Sequence, residues 1–429
     1  MGNSSLKVLG QRITVIDALR GFALLGVILI HMLQHFGYSS DSIQASSDFS
    51  KSDSIILWFS SRFIAGRFIN IFSFLFGLSF FIQMDRASKK GVDFRGRFLW
   101  RMVLLFVIGL IGICFSFVDI LTLYAVFGVI LVLLFPLRNW VLILISCLLL
   151  SGIPLLSIIG FDHVKVTQTT TITPSSPPVL SADENGTAQP DDINSTLNKS
   201  TFIASAKENL TTNMKGKLRH QFVLSSRGYV TLALFILGFL VGRVRFFEEV
   251  HIKRKRNLLL LALFFAIGIA IGLVNRLISP QEPINLMEHI ANNVDVPLIA
   301  LINSSLNDIA ILVQSSILAL GFIVLYQLKG IGKYLDVLTP YGRMGLTNYE
   351  AQGVVGAILF SGWGFGTIFG GLSITTLFAI GLLIYALQII ISKIWLKHFI
   401  YGPLEWLWRS GTYLKWQPIK KTDHRVFNK

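Results

Sequence analysis

The feature that most constrains this chain is a series of long apolar runs. Charged residues make up only 14% of its 429 residues, and its mean hydropathy is +0.64. A run of about 20 apolar residues is long enough for a helix to cross a bilayer. The sequence therefore predicts an all-α polytopic membrane protein with about ten transmembrane helices. We place them at residues 13–36, 69–84, 140–159, 229–244, 258–278, 306–328, 346–364 and 372–394, with two more inside 102–135 that turn near 116–119.

The distribution of charge predicts the topology. The formal net charge is +15, but no basic motif with interleaved aromatic residues favours a nucleic-acid partner. Most lysines and arginines fall in segments that a cytoplasmic N-terminus would place inside, including the cluster at 253–256 and the tail after 393. We therefore expect a multi-pass protein of the cell membrane with both termini in the cytoplasm and the lipid bilayer as its main partner.

Composition divides the chain into three parts. Residues 161–227 are rich in Ser, Thr, Asn and Pro, which predicts a soluble extracytoplasmic insertion that is flexible at least over 167–200. It separates an N-terminal five-helix half (1–160) from a C-terminal five-helix half (228–429). The two cysteines, Cys114 and Cys147, lack metal-ligand spacing, so no metal is expected.

The first apolar run is unusually polar for a transmembrane helix. It carries Asp17, Arg20, His31 and His35, and ionisable groups within a bilayer are functional candidates by default. Arg20 and His31 are eleven residues apart, about 16 Å along a helix and on nearly the same face. Asp17 precedes Arg20 by three residues and can pair with it.

Further polar residues lie in or beside the later runs. Arg67 begins the second span, Asp119 lies at the turn between the third and fourth, and Asn348 and Gln352 share a face of the ninth. Each also has a structural interpretation: an interfacial anchor for Arg67, a helix cap for Asp119, and interhelical hydrogen bonds for the two amides.

Five motifs carry a resemblance to a known family. IDALRGFALLGVILI, FSFLFGLSFF, DILTLYAVFG, GRMGLTNYEAQ and YGPLEWLWRSGTY resemble the YeiB-like family of bacterial membrane proteins, whose C-terminal half is a domain of unknown function. That family is grouped with transmembrane acyltransferases, and the sugar O-acyltransferases among them have an Arg followed after ten residues by a His, as at Arg20 and His31. This chain departs from the family pattern in three ways. His31 replaces a frequent Asn, Ile111 and Gly112 lie where relatives often have a His, and Glu350 replaces an apolar residue.

The resemblance implies a membrane-embedded acyltransferase. It would move an acyl group, expected to be acetyl, from cytosolic acyl-CoA to a hydroxyl or amine of an extracytoplasmic glycan, lipid or small-molecule acceptor. The expected catalytic residues are His31 as base and Asp119 as its orienting carboxylate. Donor-binding residues are expected to be Arg20, Asp17 and Arg67, and acceptor-binding residues His35, Asn348 and Gln352.

Two other classes of function stay open. A transporter would use the same buried charges to line a permeation path, and a non-catalytic membrane component would bind a partner through the insertion. A homodimer is compatible with each of them. Arg20 paired with Asp17 could also simply extend towards the headgroups.

Overall fold

The computed structural model describes residues 14–33, 50–160, 164–165, 201–250, 253–278, 286–291, 294–369 and 371–421. Almost all of this part of the chain is helical. Its strands are the two-residue segments β1 (Val164–Lys165) and β2 (Val296–Pro297), which pair in parallel. The prediction of an all-α polytopic membrane protein is confirmed.

The described residues of the N-terminal half form seven α-helices. These are α1 (Thr14–His31), α2 (Lys51–Phe59), α3 (Arg67–Ser88), α4 (Arg95–Phe115), α5 (Leu121–Leu134), α6 (Asn139–Leu150) and α7 (Ile153–Ile159). A π-helical turn, Ser60–Ile64, follows α2. The predicted turn near 116–119 lies between α4 and α5. The predicted span at 140–159 is instead two helices bent by 51°, where Gly152 adopts a positive φ and Pro154 opens α7.

The described residues after 160 form twelve more α-helices. They are α8 (Phe202–Glu208), α9 (Met214–Arg219), α10 (Arg227–Arg243), α11 (Arg254–Ile278), α12 (Leu286–Ala291), α13 (Leu298–Tyr326), α14 (Lys329–Leu335), α15 (Leu338–Arg343), α16 (Gly345–Phe360), α17 (Gly366–Phe369), α18 (Ile374–His398) and α19 (Pro403–Tyr413). Six helices of the described chain are long and apolar enough to span a membrane, and two bent helix pairs also meet that test.

The second part of the predicted insertion is an ordered helix. Two π-helical turns join α8 and α9 and extend them into one helical segment, residues 202–224, which we call the distal helix. It meets α10 at 77° and packs against the end of α4 through Phe115 and Phe202, whose ring centroids are 5.1 Å apart. Residues 166–200, where flexibility is predicted, lie outside the described chain.

Helix α1 lies at the centre of the bundle and packs against α3, α13, α15, α16 and α18. Two glycines allow its closest contact. A Cβ at Gly342 of α15 would lie 1.8 Å from the Asp17 carbonyl oxygen, and one at Gly21 would lie 2.6 Å from the Leu338 carbonyl oxygen. Small residues are what let two membrane helices approach this closely. We call the end of the bundle where α1 begins the proximal end and the end where α1 finishes the distal end.

The two C-terminal signature motifs meet at the start of α16. Glu405 of α19 accepts hydrogen bonds from the backbone N–H groups of Leu346 (2.7 Å) and Thr347 (3.1 Å) and from the Thr347 hydroxyl (2.6 Å). These N–H groups have no partner within the helix, and a carboxylate there is favoured by the helix dipole. Glu405 therefore holds α19 against the proximal end of α16.

Candidate functional site

A cavity of about 360 Å³ lies between α1, α3, α4, α16 and α19 at the proximal end. This volume is within the range of pockets that bind small molecules and cofactors. Four arginines line it against two carboxylates, those of Asp17 and Glu405, so the cavity favours an anionic ligand. The arginines are Arg20, Arg86, Arg101 and Arg343.

Arg20 is fixed in this cavity by three neighbours. Its guanidinium donates to Asp17 Oδ1 (3.0 Å), to the Ser79 hydroxyl (3.0 Å) and to the Gly342 carbonyl oxygen (3.4 Å). The side chain stays 23% exposed, whereas that of Asp17 is 6% exposed. Asp17 therefore orients Arg20 and leaves part of the guanidinium facing the cavity.

Arg101 is held by an aromatic ring instead of an acid. Its guanidinium carbon lies 3.8 Å from the centroid of the Trp408 ring, and the Trp408 indole donates to the Arg101 carbonyl oxygen (2.8 Å). Cation–π contacts of this kind orient a guanidinium without neutralising its charge. The charge of Arg101 therefore remains available to a ligand.

The far end of the cavity is aromatic. Phe72, Phe76 and Phe80 form one wall, and the cavity reaches Leu121 and Tyr349 in the middle of the bundle. Tyr349 is 4% exposed, and its hydroxyl accepts a hydrogen bond from the Ile120 backbone N–H (2.9 Å). The cavity thus runs from a cationic proximal end to an apolar interior that Tyr349 closes.

A cluster of ionisable residues lies on the distal side of Tyr349. The His31 ring centroid is 6.0 Å from that of Tyr349, at an angle of 66°. Asp119 and Glu350 are near enough to each other to interact electrostatically, and Lys217 of the distal helix faces Asp119. We call His31, Asp119, Lys217, Tyr349 and Glu350 the distal cluster.

Asp119 also caps a helix. Its two carboxylate oxygens accept hydrogen bonds from the backbone N–H groups of Leu121 (3.1 Å) and Thr122 (3.2 Å) at the start of α5. Burial in the α4–α5 turn raises the pKa of Asp119, while the charge of Lys217 and the N–H donors act in the opposite direction. Asp119 is therefore a helix cap, as the structural interpretation expects. Its predicted role as the carboxylate that orients His31 stays a prediction.

Glycines of α4 make room for the two carboxylates. A Cβ at Gly112 would lie 2.5 Å from Glu350 Oε2, and one at Gly109 would lie 2.9 Å from Asp119 Oδ2. The departures from the family pattern at Gly112 and Glu350 are thus related. The Glu350 carboxylate occupies the space that a side chain at position 112 would need.

The other predicted site residues lie elsewhere. Arg67 does not line the proximal cavity: it begins α3 at the distal end and donates to Gln314 Oε1 (2.9 Å) and to the carbonyl oxygens of Ser61 (2.8 Å) and Ala65 (2.6 Å). These bonds are those of a helix-start anchor, and they separate Arg67 from the Arg20 and Asp17 pair with which donor binding is predicted. His35 lies outside the described residues.

Asn348 and Gln352 belong to a buried network between α15, α16 and α18. Asn348 Nδ2 donates to the Tyr341 carbonyl oxygen (3.0 Å) and to the Ser392 hydroxyl (2.9 Å). Gln352 Nε2 donates to the Tyr341 hydroxyl (2.8 Å), which donates in turn to Gln388 Oε1 (2.9 Å). These are the interhelical hydrogen bonds that the structural interpretation expects. Binding of an acceptor by either amide remains a prediction.

Several residues of the site were not among those that the sequence predicts. Arg101 and Arg343 resemble basic loop residues in the sequence, and Trp408 an interfacial anchor. Lys217 lies in a segment predicted to be a soluble insertion. For Glu350 the sequence does contain a signal, since an acidic residue inside an apolar run is unusual.

Comparison with known proteins identifies the relatives of this chain. Residues 241–415 match the family described as "Protein of unknown function (DUF418)". The predicted YeiB-like resemblance is thereby confirmed, and the family description gives no activity.

The curated relatives are uncharacterised proteins. The chain is 26% identical to an uncharacterised 39.9 kDa protein from the amylase 3′ region of Bacillus acidopullulyticus and 27% identical to YxaH of Bacillus subtilis, in both cases over 96% of each chain. It is 37% identical to YeiB of Escherichia coli over 21% of its own length and 23% of that protein. The two Bacillus proteins thus match nearly the whole chain.

Proposed function

We propose that this protein is an acyltransferase embedded in the cell membrane, which takes acyl-CoA at the proximal end and transfers the acyl group to a hydroxyl or amine at the distal end. The observation that carries the proposal is that the proximal cavity and the distal cluster lie in series beside α1. A cationic cavity leads from Arg20 to Tyr349, and the distal cluster lies directly behind Tyr349.

The proximal end suits the donor. Acyl-CoA carries several phosphate charges on one side and a thioester at the end of a long arm, so a cationic opening that narrows to an apolar interior is complementary to it. The segments at this end are basic, as the loop before α4 and the cluster before α11 show. This favours a cytoplasmic location for the proximal end and for both termini.

The chemistry can be assigned to residues of the distal cluster. His31 takes the proton from the acceptor hydroxyl or amine, whose oxygen or nitrogen then forms a bond to the thioester carbon. The carbon–sulfur bond breaks and CoA leaves as the thiol once it gains a proton. The Tyr349 hydroxyl, which already accepts from Ile120, is placed to donate its own hydrogen to the carbonyl oxygen as charge develops there.

Lys217 and Glu350 set the electrostatics around that base. We assign to Glu350, the residue after Tyr349, the stabilisation of the imidazolium that proton transfer produces. Lys217 offsets the charge of Asp119 and couples the distal helix to the cluster. The acceptor must therefore approach beside the distal helix.

The first test is acyl transfer by the purified full chain in nanodiscs, with labelled acetyl-CoA and a panel of hydroxyl- and amine-bearing sugars. His31→Ala is expected to lower turnover by about 10²–10⁴-fold, the range for loss of a general base. His398→Ala is the matched control, since His398 is an exposed residue at the end of α18. Equal turnover in wild type and His31→Ala would remove His31 from the mechanism.

Donor binding provides a separate test of the cavity. Arg86 is exposed at the cavity edge, so Arg86→Gln is expected to raise the KM for acetyl-CoA severalfold with kcat unchanged. Arg138→Gln, an exposed arginine of the α5–α6 loop that does not line the cavity, should leave both constants unchanged.

An exporter of an anionic small molecule is the second candidate, because the same arginines could line its path. Uptake of an anion by sealed vesicles, without CoA release from acetyl-CoA, would favour the exporter over the acyltransferase.

A further inference from the structure

A second, apolar cavity lies on the opposite side of the bundle. It measures about 290 Å³ and is formed by α3, α10, α11 and α13 around Leu234, Leu260 and Phe264. Its polar lining residues are Asn70 and two serines, of which Ser315 donates to the Ile311 carbonyl oxygen (2.7 Å) and Ser316 to that of Leu312 (3.0 Å). Their hydroxyl hydrogens are thus used within α13, and the cavity presents a nearly pure hydrocarbon surface.

The cavity is open because α11 stands apart from the bundle. Asn257 is the only buried side chain among those of α11, and the contacts of this helix within the described chain are mainly with α13. An apolar cavity beside a helix whose other faces contact lipid is open to the bilayer and suits an acyl chain.

The length of the cavity matches one leaflet. Leu312 and Ile323 of α13 both line it and are eleven residues apart, which is about 16 Å along the helix. Half of a bilayer's hydrocarbon core is about 15 Å. A single lipid tail from the proximal leaflet would therefore fill the cavity.

Positive charge lies at the proximal end of the same cavity. Arg256 is one helical turn before Leu260, and its guanidinium lies 4.4 Å from the ring centroid of Phe246, which lines the cavity. Glu249 accepts from Arg256 (2.8 Å) and pairs with Lys253 (2.8 Å). Lys253 is seven residues before Leu260 and so lies on the same side of the helix, and Lys253 and Arg256 share the one carboxylate of Glu249, which leaves a net charge of +1 beside the cavity.

We propose that this cavity binds one anionic glycerophospholipid of the proximal leaflet, with an acyl chain between α11 and α13 and its phosphate at Lys253 and Arg256. Basic residues beside a hydrophobic cavity on the cytoplasmic side are a recurrent way to hold such lipids. The bound lipid would fill the space between α11 and the bundle and fix the position of α11. The inference is independent of the proposed acyl transfer.

The charge test uses phosphatidylglycerol as the probe and phosphatidylcholine as the neutral comparison, with lipid bound to the purified full chain counted by native mass spectrometry. Wild type is expected to retain one phosphatidylglycerol. A charge near the membrane surface changes affinity about fivefold, so the double variant Lys253→Gln/Arg256→Gln should bind about 25-fold more weakly. The control Lys329→Gln/Lys333→Gln removes two exposed lysines of α14 and should bind as wild type does. Undiminished binding in the first variant, or no preference over phosphatidylcholine, would overturn the proposal.

A second test blocks the binding of the acyl chain by filling the cavity with a larger side chain. Ala319 lines it, so Ala319→Phe should displace the lipid, whereas Ala266→Phe on the exposed side of α11 should not. Equal lipid retention in these two variants would refute the assigned cavity. Disulfide cross-linking of two chains through Ser316→Cys would show a second copy in the cavity and would also overturn the proposal.

Discussion

The contact between Gly342 and α1 gives the sharpest structural prediction. In Gly342→Ala the added Cβ would lie 1.8 Å from the Asp17 carbonyl oxygen and 2.7 Å from the Gly21 nitrogen. Both are backbone atoms of a central helix, so neither can rotate away as a side chain could. α15 must move outwards, which also takes the Gly342 carbonyl oxygen away from Arg20.

The magnitude follows from the cost of overpacking. Extra atoms in a packed core cost about 1–3 kcal/mol, and contact with backbone on both sides places this change at the upper end, about 3 kcal/mol. At roughly 2 °C for each kcal/mol in a large chain, the apparent Tm should fall by about 6 °C. The assay is thermal unfolding in detergent at one fixed scan rate, because such transitions depend on scan rate.

The control is Gly321→Ala in α13. A Cβ at Gly321 would meet nothing within 4 Å, and alanine is favoured over glycine within a helix by about 0.5–1 kcal/mol. Its Tm should be unchanged or slightly raised. A Gly342→Ala protein as stable as wild type would refute the close packing of α15 on α1.

Three further predictions concern charged residues. Lys217→Met removes the charge that faces the carboxylate of the α4–α5 turn, so amide hydrogen exchange in residues 202–224 should quicken, whereas the exposed-residue control Lys215→Met should not change it. Arg101→Lys keeps the charge but loses the planar stacking on Trp408, so CoA should bind about 5–30-fold more weakly in a calorimetric titration; equal affinity would exclude that role. Burial raises the pKa of Glu405 above its ordinary value of 4.5. The native state then binds the proton more tightly than the unfolded state, and stability falls as pH rises through the raised pKa. The Tm of wild type should therefore fall relative to that of Glu405→Gln as the pH rises above 4.5, and a constant difference would contradict this.

The local features of the chain were predictable because they follow from helical geometry. The pair of Asp17 and Arg20 follows from a spacing of three residues, and the polar break after Phe115 predicted the turn before α5. The bend at Gly152 also has a local signal, Ser-Gly-Ile-Pro, which a search for one long apolar run passes over. Apolar length alone does not distinguish a straight span from a broken one.

The arrangement of the site could not be predicted in the same way. Glu405 reaches the start of α16 and Lys217 faces Asp119 only because distant segments pack together, and no spacing in the sequence encodes those contacts. The distal helix was missed for a different reason. Its Ser, Thr and Asn content lowers intrinsic helix propensity, and packing against α4 stabilises the helix in spite of it.

The central claim is transfer across the bundle from the proximal cavity to the distal cluster. Sealed vesicles containing the oriented full chain, with labelled acetyl-CoA on the proximal side and a sugar acceptor on the distal side, test it most directly. We predict labelled acceptor on the distal side, one CoA thiol released for each acetyl group transferred, and loss of both in His31→Ala. Intact acetyl-CoA and unlabelled acceptor, from a folded protein tried with each acceptor of the panel, would contradict the account.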